Sequence, residues 1–311
     1  MNCKTNPIDI IENYKRILVI GDIHADYDTM KQLFIDFEII DRNNKWIAKD
    51  TYVVQMGDQL DGKGRNNEDA HGELKVLDFL EDLDIQAKMY GGNVFCLIGN
   101  HEFMNFTGDF RYVSNKDLAS TGGEQGRLNL FKPGGTYAKK LACSRVAILK
   151  IKDIIFVHGG LSPELLKYIE TNDSNIKNIN ETLREFLFKK IDENDTHVVK
   201  FFKDKDSLLW DRSMGKENVK CYNFQKIGHV IVGHTPQSEI NSKCSNKIWR
   251  TDVGISKAMG KNNYEVLEIV NSKTSNQVNS KTSNQVNSKT SNQVNSKTSN
   301  RFYVKKNNGL F

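Results

Sequence analysis

The chain has 311 residues, of which 38% are hydrophobic and 27% charged, with four prolines; this suffices to bury one large core or two small ones in a soluble globular protein. No apolar run reaches the roughly 18 residues of a membrane span, and the start MNCKTNPIDIIENYKR lacks the basic-then-apolar order of a secretory signal. The net charge of +5 comes from the last stretch: seven basic and no acidic residues follow from Asn271 on, which leaves the first 270 at about −2 and gives nucleic-acid binding no support.

In chain order, the first element is a strand at Ile17–Ile20, ending in Gly21-Asp22-Ile23-His24, followed by helical spacing over Asp28–Phe37. A second β-rich apolar run, Tyr52–Gln55, leads to Gly57-Asp58, and Gly72–Lys88 has helical spacing. A third, Val94–Ile98, leads to Gly99-Asn100-His101-Glu102. Ile154–Val157 ends at His158-Gly159-Gly160, a helix is expected over Ile176–Lys190, and Val230–Val232 ends at Gly233-His234. Strands that are apolar on both faces and separated by helices imply an α/β layered core.

After Tyr264–Val270, which alternates like a strand, comes an octapeptide repeat from Asn271 to Asn300: NSKTSNQV three times, then NSKTSN. One valine per unit cannot offset the entropy of ordering, so the repeat is read as disordered rather than as a solenoid. Arg301–Val304 resumes a strand-like run, which suggests a hairpin with an expanded loop. The expected organisation is a catalytic domain over 1–270, a repeat insertion over 271–300, and a terminal strand and tail over 301–311. The cysteines, 3, 96, 143, 221 and 244, are odd in number and scattered. A disulfide framework is therefore not expected, and an intracellular, cytoplasmic location is.

In open α/β sheets the carboxyl ends of strands face one crevice. The five strand ends thus bring Asp22, His24, Asp58, Asn100, His158 and His234 together. Each cluster alone is a weak signal; all five in order are hard to obtain by chance. Carboxylate, imidazole and amide donors without thiolates suit Mn, Fe or Zn. Asp22 and His24 can reach one ion, Asp58 has two oxygens to bridge two, and Asn100, His158 and His234 can complete the second. Two ions about 3.5–4 Å apart would clamp a phosphoryl displacement and lower the pKa of a water to near 7, giving a hydroxide nucleophile. His101 would point to substrate as general acid, oriented by Asp61.

These residues resemble the calcineurin-like metallophosphoesterases, and among them the phosphoprotein phosphatases, whose pattern is GDxHG, GDxxDRG, GNHE, then HGG and a GH motif. GNHEFMNFTGDFRYV (99–113), LLWDRS (208–213), VGHTPQ (232–237) and TDVGISKAMG (251–260) resemble the Shewanella-like protein phosphatases. The resemblance implies a four-layer fold, a central β-sandwich flanked by helices with metals at the strand carboxyl ends. It implies two divalent or mixed-valence ions, with manganese expected and iron or zinc as alternatives. It casts Asp22, His24 and Asp58 as ligands of one ion, and Asp58, Asn100, His158 and His234 as ligands of the other. His101 takes the proton-donor role, supported by Asp61. The implied activity is phosphomonoester hydrolysis on a phosphorylated protein or peptide, at serine/threonine or tyrosine. The arginine expected after Asp61 to hold phosphate is Gly62 here. Arg65, Arg111 and Arg212 are the candidates to replace it. Two other readings stay open: a dinucleoside polyphosphate or nucleotide phosphoesterase, and a non-catalytic phosphoprotein-binding pseudophosphatase.

Overall fold

The computed structural model describes residues 3, 6–65, 68–260, 264–271 and 300–307. Among them two six-stranded sheets form. In chain order the strands are β1 Ile10–Ile11, β2 Arg16–Ile20, β3 Tyr52–Gln55, β4 Asn93–Leu97, β5 Arg145–Val146 and β6 Ile148–Ile151. They continue with β7 Ile154–Val157, β8 His229–Val232, β9 Asn241–Lys243, β10 Ile248–Arg250, β11 Glu265–Asn271 and β12 Asn300–Lys306. One sheet runs β1-β6-β7-β8-β10-β9 and the other β12-β11-β2-β3-β4-β5. β2, β3, β4 and β5 pair in parallel, as do β7, β8 and β10, so the functional strand ends within each set point one way.

The period-2 alternation of strands builds the layers. Leu149, Ile151, Phe156, Ile231 and Trp249 pack inward against the other sheet. Their neighbours Ile148, Ile155, Val157, Val230 and Val232 face outward. They pack with Leu165 and Ile169 of a helix at Pro163–Thr171 and Ile179 and Leu183 of one at Ser174–Leu187. On the far side α1, Tyr27–Asp36, and α2, Glu73–Lys88, lay Leu33, Phe34, Val76 and Leu80 on the β2–β4 sheet. The order helix, sheet, sheet, helix is the expected four-layer sandwich. The expected helices start and stop within a few residues of the observed ones, because the caps are encoded locally. Asp26 accepts from Thr29 N at 3.2 Å to cap α1.

β11 runs antiparallel to β2 and β12 antiparallel to β11, with Leu267 opposite Val304 and Ile269 opposite Phe302. Phe302 stacks on Trp249, ring centroids 5.0 Å apart. The repeat between the two strands, over 272–299, lies outside the described residues.

The expectation of unpaired thiols is corrected. Cys3 is bonded to Cys143 and Cys221 to Cys244, with Cα atoms 5.3 and 5.4 Å apart. The partners lie 140 and 23 residues apart in sequence, so spacing gave no sign of the pairing. Cys96 is free and buried. Cystines persist in oxidising surroundings, so the cysteines no longer support a reducing compartment. No helix among the described residues is long and apolar enough to cross a membrane.

Candidate metal centre

The strand ends of both sheets converge on Asp58. Among the described residues, two sets of donor atoms lie within 4.8 Å of one another: His24, Asp58 and His101, and Asp58, His158 and His234. All five side chains are buried. The imidazoles flank Asp58 in pairs, His24 with His101 at 4.8 Å and His158 with His234 at 5.0 Å between ring centroids. Asp22 lies against the second pair and accepts from His234 N at 3.0 Å. Asn100 Oδ1 is 3.0 Å from His158 Nε2. The six residues read as ligands from the sequence are thus brought together.

The backbone bends hard to do this. His24, Asp58, Asp61 and His234 all have positive φ, between 43° and 68°, a region non-glycine residues rarely adopt. Gly57, at φ 98°, and Gly99 let the two loops touch, since a Cβ at 99 would run into the Asp58 carboxylate. Glu102 locks the loops from below. One of its oxygens accepts from Asp58 N and Gly99 N at 2.9 and 2.7 Å. The other accepts from Gln59 N and Leu60 N at 2.7 and 3.0 Å.

The histidine tautomers follow from carbonyl partners. His158 Nδ1 is 2.8 Å from Met56 O and must carry the proton, which leaves Nε2 free to ligate. His24 Nδ1 faces Leu60 O in the same way. His101 differs: its Nδ1 donates to Asp61 Oδ2 at 2.8 Å, while its Nε2 lies 3.9 Å from Asp58 Oδ2. In its doubly protonated form it presents the Nε2–H to the centre, with a carboxylate behind Nδ1.

The electrostatics suit cations. Burial, then Asp252 and Asp58, push Asp22 well above the usual carboxylate range. Burial also works against ionising Asp58, but His158, His101 and His24 overcome it and hold Asp58 far below that range. Burial, then the His101 charge, lower His24 to about 3, and His234 is lowered by burial and by His158. His101 goes the other way, up to about 9, because Asp58 and Asp61 outweigh burial. Both lowered histidines are neutral near pH 7, the form that binds a metal. His234 Nε2 is buried with no hydrogen-bond partner among the described residues, as an atom reserved for a ligand would be. The donors, all oxygen or imidazole nitrogen, therefore fit a pair of divalent ions.

The three candidate arginines separate. Arg212 Nη1 donates to His234 O at 2.8 Å, at the rim of the second histidine pair. Arg65 has its guanidinium 5.9 Å from the ring centroid of Tyr112, whose ring lies 5.2 Å from His101. Arg111 is exposed and paired with Asp109 at 2.7 Å. Gly62 has a structural reason: Ala70 N bonds Gly62 O at 2.7 Å, and a Cβ at 62 would run into the Ala70 carbonyl. An arginine there would have to push the Ala70 carbonyl aside. Three residues near the centre went unread in the sequence. Glu102 stood inside GNHE, and its position as the third residue of a helix that starts at Asn100 was the available signal. Asp252 stood in TDVG. Arg127, fully buried behind Asp61, gave none.

The calcineurin-like phosphoesterase family model matches residues 15–238. The chain is 29% identical to Shewanella-like protein phosphatase 2 of Arabidopsis thaliana, over 83% of this chain and 76% of that one. It is also 29% identical to Shewanella-like protein phosphatase 1 of Plasmodium berghei, over 81% and 70%. The crystal structure of the cold-active protein-tyrosine phosphatase of a psychrophile Shewanella sp. superposes with a TM-score of 0.65 at 26% identity, covering 85% of this chain and 78% of that one. The match over residues 15–238 takes in all six converging side chains, and the chain belongs to the calcineurin-like phosphoesterase family.

Proposed function

We propose that the protein is a phosphoprotein phosphatase with two metal ions, manganese in the first instance, held by Asp22, His24, Asp58, Asn100, His158 and His234. The observation that carries this is the pair of donor sets sharing Asp58, in one of which His101 is held by Asp61. When bound, the metals supply positive charge to the phosphoryl oxygens and lower the pKa of water to near 7.

The chain's own residues do the rest. Asp58 offers one carboxylate to both donor sets. His101 holds a proton at Nε2 for the leaving-group oxygen, while Asp61 keeps Nδ1 protonated and the ring aimed. Arg212 and Arg65 stand at opposite ends of the centre, where guanidinium forks suit phosphate oxygens better than the exposed, paired Arg111. The phosphatase names of the relatives support a phosphoprotein over a nucleotide as substrate. The test is turnover of phosphoserine, phosphothreonine and phosphotyrosine peptides beside dinucleoside polyphosphates, with added manganese. Peptide turnover should exceed nucleotide turnover; the reverse order would defeat the phosphoprotein reading.

A further inference from the structure

Arg127 lies on the helix Gly123–Phe131 and is fully buried between Phe131 and Phe110, its guanidinium 4.9 and 5.6 Å from their ring centroids. It reaches the site by two routes. Its Nε donates to Asn105 Oδ1 at 2.6 Å, and its Nη2 lies 3.6 Å from Asp61 Oδ1. Its Nη1 pairs with Glu73, whose other carboxylate oxygen accepts from Asp61 N at 3.2 Å.

The Asn105 contact has a directional consequence. An amide has one accepting and one donating end. Because Arg127 can only donate, it takes the Asn105 oxygen and turns the Asn105 NH2 toward the site. That NH2 donates to Asp61 Oδ1 at 2.8 Å and to His101 O at 2.9 Å. The remaining Asp61 oxygen, Oδ2, then receives His101 Nδ1. Reversing the amide would set its oxygen against the Asp61 carboxylate. A buried ion pair such as Arg127–Glu73 contributes little net stability against an apolar replacement, so what this arrangement supplies is orientation.

Resting on the function proposed above, we infer that Arg127 is a positioning residue: through Asn105 and Asp61 it fixes the His101 ring for proton donation to the leaving group. It touches neither substrate nor metal ligand, since Asp61 and His101 lie between.

Proton donation matters for a poor leaving group and hardly at all for a good one, which gives a readout that a merely structural role would not move. Hydrolysis of phenyl phosphate and 2,4-dinitrophenyl phosphate is compared in wild type, in Arg127→Met combined with Glu73→Gln, and in Asn105→Leu. The first variant leaves no lone buried carboxylate at Glu73; the second keeps the Arg127–Glu73 pair and cuts the relay. In both, kcat on phenyl phosphate should fall about a hundredfold, as misplacement by an ångström does. On the dinitrophenyl ester kcat should fall by no more than about threefold, because little of the roughly hundredfold general-acid contribution is in use there. Equal losses on the two esters, or no loss, in an active and folded variant set overturns this proposal alone. A wild type inactive on both esters overturns the phosphoesterase reading, and this proposal with it.

Discussion

The sheet that carries the β11–β12 hairpin also supplies half of the metal centre, from the ends of β2, β3 and β4, and the two regions are built on opposite terms. At the carboxyl end of β2 and β3 the chain crowds buried carboxylates and imidazoles onto residues with left-handed φ. Along β11 and β12 it makes a regular ladder from Glu265–Lys306 to Asn271–Asn300. The ladder's open end lies beside Arg16, at the far end of β2 from Asp22. Strained backbone persists only where its surroundings over-determine it, and Glu102, with four backbone N–H groups, does so at the centre. The lesson is that changes at one end should act on chemistry and changes at the other on stability alone, and four substitutions or deletions can break that division.

The largest effect belongs to Asp58→Asn. It removes the one negative charge shared by both donor sets and should lower kcat on any phosphomonoester by roughly three orders of magnitude, the several kcal/mol that a metal pair supplies to a charged transition state. Bound manganese, counted by metal analysis, should fall with it. Activity within tenfold of wild type would remove Asp58 from the shared position.

Next is the pH dependence of phenyl phosphate turnover. His101 is raised to about 9, so its protonated form persists below that pH, and kcat should decline by roughly tenfold per unit above it. In Asp61→Asn one of the three carboxylates that raise His101 is gone, so this alkaline limb should move down toward the ordinary 6.5. The same shift bears on stability: a raised histidine contributes fully below 6.5 and loses its contribution as pH climbs to about 9. An unmoved limb would show that His101 does not carry the proton.

Glu102→Gln tests the frame under the chemistry. A glutamine presents an NH2 where a carboxylate oxygen now accepts two backbone N–H groups, leaving buried donors opposed. A loss of about 1–3 kcal/mol in unfolding free energy is expected. A fall of about 10–100-fold in turnover should accompany it, since outer partners aim the ligands. Unchanged turnover with lowered stability would mean the loops keep their shape without it.

How much of this could be read from the sequence follows the range of the interactions. The five strand ends were legible because each is local: a short apolar run, a glycine, then a metal-competent side chain. The α/β layered core was legible for the same reason, from strands apolar on both faces, whereas the four layers were implied only by the family resemblance. The role of Arg127 was hidden because Asp61 is 66 residues and Glu73 54 residues before it in sequence. The cystines were hidden because their partners come from separate elements. The rank of Arg65, Arg111 and Arg212 depended on loop paths: Arg111 had its own counter-ion two residues away, at Asp109, and a carboxylate there is as easily a neighbour as a partner.

The smallest effect expected is from removing Asn271–Val294, the three complete repeat units. The cut is commensurate with the period of eight, so Asn295 takes the place of Asn271 and four residues then connect it to Asn300. That length suits a hairpin loop. Both roots of the hairpin remain held by Tyr14, whose carbonyl accepts from the Asn271 amide at 3.1 Å and whose hydroxyl donates to Asn300 at 2.7 Å. Loop closure changes by roughly 0.6 kcal/mol per halving of length, so thermal unfolding should show a gain of at most about 2 kcal/mol. Turnover should match wild type, because the open end of the ladder lies at the opposite end of β2 from Asp22. A large loss of turnover in the shortened chain would show that the repeat reaches the metal centre, and the division between the two ends of the sheet would fall.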